Sequence, residues 1–341
     1  MKKIIDKFKS YFFNLILIWF VFLLYSKSSY YLEFIRLETI TTIYYLAFTY
    51  TIFGFLYYLI TPQKKIKQGK GFILFRALKR IIKSLYYLIR FPKLKTSFPK
   101  LEQKEKVALL FVIVKIFFLP IMLNFFFANY FSVKYQISNL PNFLSLININ
   151  SFNTILFPLL LASIFLIDTL WFSFGYTVEA GFLKNKIRSV EPTIIGWVVA
   201  LACYPPFNGI ATGAIGWYAN DYILFSTPLL TFIMRLLIIF FLLIYVGATL
   251  ALGAKSSNLT NRGIVTRGPY AIIRHPAYTS KNLAWWITII PVFSWIAVLG
   301  MGVWSLIYHF RSITEERHLI KDPDYVEYCK KVKYRYIPGV Y

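Results

Sequence analysis

Cysteine and histidine are scarce in this chain, which has two cysteines and three histidines among its 341 residues. The cysteines, Cys203 and Cys329, lie far apart, which argues against a disulfide framework and against a cysteine-based zinc site. The histidines show no H-E-x-x-H spacing, and no G-x-x-x-x-G-K-[ST] loop occurs, so neither a metalloprotease nor a nucleotide-hydrolysing pump is supported. We therefore predict no metal site.

Charged residues are also scarce, at 15% of the chain, whereas the hydrophobic class reaches 58%. Soluble domains carry about 25% charged residues. Together with a mean hydropathy of +0.58, this composition excludes a disordered chain, a collagen-like chain and an ordinary soluble enzyme. It predicts an all-α, polytopic transmembrane helical bundle, because backbone in lipid must satisfy its own hydrogen bonds.

Acidic residues are the rarest charged class, since 14 Asp and Glu stand against 38 Lys and Arg and leave a net charge of +24. In a soluble protein such an excess suggests a nucleic-acid partner. In a membrane protein it identifies the cytoplasmic loops instead. We therefore predict no nucleic-acid partner, and we expect membrane lipids to be in contact with the chain.

Long apolar runs are abundant. A helix needs about 20 apolar residues to cross the hydrocarbon core, and six runs meet this length. The predicted spans are 11–30, 40–61, 107–131, 152–176, 193–217 and 224–252. The first run could be a secretory signal, but the sequence Ser26-Lys27-Ser28-Ser29 is a poor cleavage site, so we expect it to be retained as a membrane helix.

The loops between these spans alternate in basic content. The loop 62–106 has 14 Lys and Arg against two Glu and is predicted to be cytoplasmic. The loops 177–192 and 253–281 are basic as well, whereas the intervening loops have at most two basic residues. The tail, 311–341, is basic too. We therefore predict that both termini are cytoplasmic and that the apolar stretch 282–310 is a hairpin that breaks near Pro291 and Ser294.

Two regions follow from this layout. Residues 1–150 are predicted to be a transmembrane accessory region, and residues 151–341 a catalytic core whose ligand-binding segment is 262–341. Within the accessory region, the stretch 71–91 has basic residues on one helical face and apolar residues on the other. This pattern indicates a helix on an anionic membrane surface. A docking site for an acidic partner or substrate headgroup is the alternative.

A few polar features lie inside the predicted spans. Asp168 and Arg235 are expensive to bury in lipid, so they either pair, line a cavity or serve helix packing. Pro205-Pro206 interrupts the fifth span, which predicts either a kink or a broken helix that lines a substrate cavity.

The richest cluster of reactive side chains follows the sixth span. Arg274 and His275 stand in a segment of turn formers, and the carboxylates Glu315 and Glu316 come back to the same side after the hairpin. Arginine and histidine donate hydrogen bonds to a carboxylate or phosphate, and a carboxylate accepts from an ammonium or from hydroxyls. The cluster therefore suits a zwitterionic cofactor. Alternatively, Arg274 and His275 contact lipid phosphates while the glutamates pair with Arg311 and Arg317.

The order G-P-Y-x-x-x-R-H-P-x-Y, followed by E-E, resembles the membrane methyltransferases, which include isoprenylcysteine carboxyl methyltransferase and phospholipid N-methyltransferases. The resemblance covers about 254–341. It implies S-adenosylmethionine as cofactor and a lipophilic small molecule or lipidated substrate as methyl acceptor. The residues that the resemblance assigns to cofactor binding are Gly268, Tyr270, Arg274, His275, Pro276, Tyr278, Glu315 and Glu316.

The resemblance also implies roles for single residues. His275 would hold the methionine carboxylate of the cofactor, and a glutamate its α-ammonium. The chemistry of the acceptor leaves two alternatives beside these roles. If the acceptor is a carboxylate, an arginine such as Arg274 or Arg335 would orient it; if it is an amine, Glu315 or Glu316 would take its proton. Where the family often has Leu-Gly, this chain has Thr279-Ser280, and Lys281-Asn282 follows. The F-G pair that usually follows E-E is replaced by Lys321-Asp322-Pro323.

The C-terminal sequence Y-C-x-x-V-x-Y-R-Y-I-P-G-V-Y is similar to that of sterol reductases, which implies NADPH as an alternative cofactor. Those enzymes usually carry Arg-Asp-Glu where this chain has Thr314-Glu315-Glu316, so methyl transfer is favoured. A noncatalytic transport or structural role is the remaining alternative.

Overall fold

A computed structural model of the protein describes residues 2–62, 68–90 and 100–340. In this part of the chain, six helical segments are long and apolar enough to cross a membrane, which confirms the predicted all-α polytopic bundle. They are Phe8–Lys27, Leu37–Ile60, Gln103–Ser138, Ile149–Thr177, Pro228–Lys255 and Trp295–Leu319.

The chain divides into two compact units, Met1–Pro120 and Ile121–Tyr341. The helices of the first unit are α1 (Lys2–Lys27), α2 (Ser29–Leu32), α3 (Leu37–Thr49), α4 (Phe55–Ile60), α5 (Lys70–Arg90) and the first half of α6 (Gln103–Ser138). A π-helical turn, Tyr50–Gly54, joins α3 to α4. Polar contacts fasten α1 to this turn, since the Tyr11 hydroxyl donates to the Thr51 carbonyl at 2.7 Å and the Trp19 indole donates to the Thr51 hydroxyl at 3.1 Å.

Helix α5 corresponds to the predicted amphipathic stretch 71–91, of which residue 91 lies outside the described residues. The start of α5 is tied to α1, because the Gly71 amide donates to the Asn14 side chain at 2.8 Å and the rings of Phe13 and Phe75 stack at 3.7 Å. Further along, the apolar face stays accessible, with Ile89 81% exposed. The contact of this face with a membrane surface remains a prediction.

The second unit contains the rest of the helices. They are α7 (Ile149–Ser151), α8 (Phe157–Thr177), α9 (Ile194–Leu201), α10 (Phe207–Ile215), α11 (Pro228–Leu252), α12 (Pro276–Thr288), α13 (Trp295–Leu319) and α14 (Pro323–Lys331). Shorter helical turns are Phe143–Leu146, Phe152–Leu156, Gly253–Lys255, Gly268–Ala271 and Ile290–Val292. Two short strands, β1 (Ser189–Val190) and β2 (Thr260–Asn261), pair antiparallel.

Local sequence explains where these helices begin. Thr193, Thr227 and Ser294 each accept a hydrogen bond from a backbone amide three residues later, which satisfies a donor that the first turn leaves open. Proline occupies the first turn of α11 and of α12, where its missing amide costs nothing. The core between α8, α11 and α12 is aliphatic and aromatic, and its buried members include Phe157, Leu161, Ile164, Ile238, Leu242, Ala284 and Ile287.

The long elements of the second unit alternate in direction. At one end, the Asn153 side chain donates to the carbonyl of Pro228 at 2.9 Å, and at the other the Thr249 hydroxyl donates to Asp168 at 2.6 Å. Helices α8 and α11 are therefore parallel, as expected when a single crossing, made by α9 and α10, lies between them along the chain. As a result, the segments 178–193, 253–275 and 320–340 lie together at one end of this unit. The predicted topology, in which the loops 177–192 and 253–281 and the C-terminal residues are all on the cytoplasmic side, requires that these segments share one end.

The predicted span 193–217 is wrong as a single helix. The chain forms α9 and α10, and residues 202–206, which end in Pro205-Pro206, separate them; the interruption is thus a break and not a kink. The two pieces still run along α13, since Arg317 contacts Glu191 at 3.3 Å and the Trp304 indole donates to the Gly216 carbonyl at 2.8 Å. These contacts are separated by about 20 Å along α13.

The stretch 282–310 forms the predicted hairpin. Helix α12 ends at Thr288, a turn contains Pro291, and Ser294 caps α13. The two arms are joined near their middle, because the Trp286 indole donates to the Ser305 hydroxyl at 3.0 Å. The hairpin brings the start of α12 next to the end of α13.

Asp168 and Arg235 do not pair. Asp168 accepts from the hydroxyl of Tyr245 at 2.7 Å and from that of Thr249. Arg235 lies at the opposite end of the bundle, where it donates to the carbonyls of Asn153, Tyr222 and Ile223 and lies over the ring of Phe157. Arg235 therefore fastens loop backbone to α11, whereas Asp168 stands close to the cavity described below.

Candidate functional site

Residues 268–275, which precede α12 and are called the motif segment below, run beside residues 332–340, which follow α14 and are called the tail from here on. The backbone amides of Arg274 and His275 donate to the carbonyls of Tyr334 and Arg335, both at 3.0 Å. The Tyr328 hydroxyl donates to the Tyr270 carbonyl at 2.7 Å. Burial raises the pKa of Tyr328, so this hydroxyl remains a donor at neutral pH. The tail and α14 thus fix the backbone conformation of the motif segment.

Glu316 on α13 joins three parts of the chain. One of its carboxylate oxygens lies 2.9 Å from Nε2 of His275 and 3.4 Å from Nε of Arg274, and the other accepts from Nη2 of Arg335 at 2.7 Å. All four side chains are at most 17% exposed. We refer to Glu316, Arg274, His275 and Arg335 as the carboxylate clasp.

Arg274 makes further contacts with α14 and the tail. It donates to the sulfur of Cys329 and to the Lys333 carbonyl, each at 3.4 Å. Burial lowers the pKa of Arg274, but the contacts with Cys329 and Glu316 outweigh it, so the pKa lies above its ordinary value. The guanidinium is therefore a permanent cation of the clasp.

Glu315, the other glutamate of the pair, faces a different neighbour. It accepts from the Tyr278 hydroxyl at 2.8 Å. The Tyr278 ring in turn lies parallel to that of His275, with centroids 5.4 Å apart and an interplanar angle of 6°. The two glutamates therefore hold the two side chains of the R-H-P-x-Y motif that stack on each other.

A cavity opens beside these residues, between α8, α9, α11, α12 and α13. It encloses about 1030 Å³ of empty space, open solvent at its mouth included. Its polar lining includes Glu191, Asn258, Thr260, Arg274, His275, Tyr278, Lys281, Arg311, Glu315 and His318. A second, smaller cavity of about 640 Å³ shares part of this lining and is bounded by Tyr325 and Tyr328.

The predicted site residues take three kinds of position. Those that line the large cavity are Tyr270, Arg274, His275, Tyr278 and Glu315. Glu316 and Arg335 are brought to the same place but lie behind the cavity wall, in the carboxylate clasp. Gly268 and Pro276 shape the backbone: Gly268 adopts a left-handed conformation at φ +61°, and Pro276 starts α12.

The proposed pairing of the glutamates with Arg311 and Arg317 is wrong. Arg311 donates to the Asn258 side chain and lies over the rings of Tyr204, Tyr278 and Tyr308, at 5.2 to 5.9 Å from their centroids. Arg317 donates to Glu191 at 3.3 Å. The glutamate pair is therefore directed toward the motif segment.

Sequence reasoning missed three charged residues of the cavity, namely Glu191, Lys281 and Arg311. Glu191 is 3% exposed. One of its oxygens accepts from the Thr193 amide at 3.0 Å, and the other makes no hydrogen bond within the described part of the chain. The signal for Glu191 is weak: it is one of two acidic residues in a basic loop. Lys281 lies three residues after the R-H-P-x-Y motif, outside the pattern that marks the cofactor residues.

The Asp322 side chain braces the rim of this region. It accepts from Arg188 at 2.8 Å and from Asn261 at 2.7 Å, and it caps α14. Burial raises its pKa, but the donors Asn261 and Arg188 lower it further, so the pKa lies below its ordinary value. The departure from the family pattern at 321–323 thus has a structural role here.

Comparison with known proteins agrees with the suspected resemblance. The phospholipid methyltransferase family matches residues 227–322. The matched part includes α11, the motif segment, α12, α13 and both glutamates, and it ends before Arg335. No curated protein matches the chain significantly.

Proposed function

Because a phospholipid methyltransferase domain occupies residues 227–322 of a polytopic membrane protein, we propose that the chain transfers the methyl group of S-adenosylmethionine to a lipophilic acceptor. The observation that carries this proposal is the large cavity, in which the R-H-P-x-Y segment and Glu315 face the same space. S-adenosylmethionine supplies an electrophilic methyl group on a sulfonium, so the protein needs chiefly to position the reactants and exclude water.

The charges of the cavity fit a zwitterion with an extra positive charge. Arg274 and His275 are donors for a carboxylate. The carboxylates of Glu315 and Glu191 attract an ammonium or sulfonium, and one oxygen of Glu191 makes no hydrogen bond within the described residues, although it lies 4.0 Å from Nδ1 of His318. Aromatic side chains, among them Tyr270 and Tyr278, provide flat surfaces for an adenine ring. The cofactor contacts are therefore assigned to these residues.

Glu316 and Arg335 receive a positioning role in this proposal. Both oxygens of Glu316 are engaged by His275, Arg274 and Arg335, so the glutamate orients the histidine and does not present a free base to the acceptor. The two arginines share this one carboxylate, so the carboxylate clasp keeps a net positive charge. This arrangement weakens the predicted roles of Arg274, Glu316 and Arg335 in acceptor chemistry.

The sidedness of the site belongs to the same proposal. The segments 178–193, 253–275 and 320–340 share one end of the second unit, and the loops there are basic, which is typical of the cytoplasmic side. The cofactor would enter from the cytoplasm, and the acceptor from the bilayer. Both termini are then cytoplasmic.

Thermal unfolding of the detergent-purified protein tests the cofactor. S-adenosylhomocysteine at saturating concentration should raise the unfolding temperature, because a ligand that binds only the folded state stabilises it. NADPH should have no effect. In His275→Ala the shift with S-adenosylhomocysteine should disappear, whereas Glu327→Gln, which changes an exposed glutamate paired with Lys330, should keep it.

Two outcomes would overturn the proposal. Stabilisation by NADPH alone would indicate a reductase. No stabilisation by either S-adenosylhomocysteine or NADPH would indicate a transport or structural role.

A further inference from the structure

Lys281 lies on α12, six residues or about 9 Å beyond His275 along the helix axis. Its ammonium is surrounded by the rings of Phe165, Tyr245 and Trp285, at 5.5, 5.0 and 5.2 Å from their centroids. Lys281 lines the large cavity, and the side chain is only partly accessible. A positive charge therefore stands on the wall of the cavity among aromatic rings.

The ammonium has no bonded counter-charge. No hydrogen bond or ion pair joins Lys281 to any residue in 2–62, 68–90 and 100–340. Asp168 and Asp221 act on it electrostatically, and Asp168 also accepts from Tyr245 and Thr249, so two carboxylates attract the ammonium but neither forms a direct ion pair with it. An ammonium that is partly removed from water and has no hydrogen-bond acceptor is costly, and an anionic ligand in the cavity would lower that cost.

The other cations of the cavity are engaged. Arg274 contacts Glu316 and the tail, and Arg311 donates to Asn258 and lies over three tyrosine rings. Among the cationic side chains that line the cavity within the described residues, Lys281 alone makes no hydrogen bond. The carboxylates Glu191 and Glu315 lie in the same lining, so the cavity has sites of both signs.

We propose that Lys281 binds the anionic group of the lipophilic acceptor, a carboxylate or a phosphate, while the aromatic and aliphatic lining around it contacts the apolar chain. This inference rests on the proposed methyltransferase function, whose cofactor contacts lie at His275 and Glu315. It names an acceptor subsite that is separate from the carboxylate clasp. The aromatic rings hold the ammonium in place through cation–π contacts.

Equilibrium binding to the full chain in nanodiscs of zwitterionic lipid tests this subsite. The probe is radiolabelled dodecanoate, competed by methyl dodecanoate, dodecyl phosphate or dodecyltrimethylammonium. The wild-type protein should bind dodecanoate at least about tenfold more tightly than its neutral ester, as expected for a charge-assisted hydrogen bond. Effective competition by dodecyl phosphate would extend the subsite to phosphates, and its absence would restrict it to carboxylates.

Three variants separate charge from folding. Lys281→Met should lose the preference for dodecanoate over the ester, Lys281→Arg should keep most of it, and Lys330→Met, a change at an exposed lysine, should match the wild type. Each variant should keep its thermal shift with S-adenosylhomocysteine, which shows that the fold and the cofactor site are intact. If S-adenosylhomocysteine does not raise the unfolding temperature of the wild-type protein, the proposed methyltransferase function is overturned. The measured preference for dodecanoate over its ester is independent of that result.

An unchanged preference for the carboxylate in Lys281→Met would overturn the subsite. So would a wild-type protein that binds the ester or dodecyltrimethylammonium as tightly as dodecanoate.

Discussion

Glu316 shows how one carboxylate organises the candidate site. It receives donors from the end of the motif segment and from the tail, which are 41 and 19 residues away in the chain. A single acceptor between two guanidiniums and an imidazole is a charged network, and charged hydrogen bonds are the strong ones. The clasp therefore couples the position of His275 to the order of the tail.

Glu316→Gln should weaken this coupling. The glutamine leaves Arg274 and Arg335 without a negative partner, and both arginine side chains are 17% exposed. We expect the free energy of unfolding to fall by about 3 kcal/mol, as for a buried ion pair that loses one partner. Unfolding by SDS in mixed micelles measures the change.

Glu327→Gln is the matched control. Glu327 is exposed and forms an ion pair with Lys330, one turn further along α14. The loss of its charge should leave the unfolding midpoint unchanged. If Glu316→Gln unfolds at the same SDS concentration as this control, the clasp does not hold the tail.

For single residues, the sequence predicts which motif side chains come together, but it does not predict the partners of the other charged residues of the cavity. The order and spacing of Arg274, His275 and the glutamates indicate that they meet, and they do. The contacts of Arg311 and the accessibility of Lys281 are set by the rotation of α12 and α13 around their axes. Sequence spacing does not determine that rotation, because each helix here has apolar residues on more than one face.

The elements around the cavity combine regular and interrupted helices. The hairpin was predictable, because a basic tail and a basic loop on one side require an even number of crossings between them. The position of the break in 193–217 was predictable from Pro205-Pro206. Helices α9 and α10 nevertheless run along α13, and Tyr204 lies on the cavity wall. This arrangement depends on contacts such as that of Trp304 with Gly216, which no local sequence pattern reveals.

Close packing of α13 against the segment after α10 depends on Gly300. A Cβ atom at this position would lie 2.8 Å from the Tyr218 ring and 3.3 Å from the Ile215 carbonyl, whereas a Cβ at Gly302 would meet nothing within 4 Å. Gly300→Ala should therefore lower stability by about 1–3 kcal/mol through overpacking. Gly302→Ala should be neutral or slightly stabilising, since alanine favours helix over glycine.

The two variants make the same change, glycine to alanine, at two positions of the same helix. Their comparison therefore isolates the packing contact at Gly300. Thermal unfolding followed by tryptophan fluorescence measures both. Equal unfolding temperatures for Gly300→Ala and Gly302→Ala would contradict the close contact between α13 and Tyr218.

The net charge of the whole molecule is +24, and in the second unit the basic residues of the loops are concentrated at one end. In the second unit, the basic segments 178–193, 253–275 and 320–340 all lie at the end where the cavity and the clasp are found. The segments 139–148 and 216–227, at the opposite end, have no lysine or arginine. We predict from this asymmetry that the basic end is cytoplasmic, so that under the proposed function the cavity faces the compartment from which S-adenosylmethionine would enter.

Single-cysteine labelling tests this orientation. In a chain with Cys203→Ser and Cys329→Ser, cysteines at the exposed positions Lys184 and Lys330 should react with a membrane-impermeant maleimide in inverted vesicles only. Cysteines at Asn139 and Tyr222, also exposed, should react in right-side-out vesicles only. The reverse pattern would place the cavity outside the cytoplasm. Labelling of Lys184 and Tyr222 from the same side would contradict the crossing by α9 and α10, because that crossing alone separates these two positions along the chain.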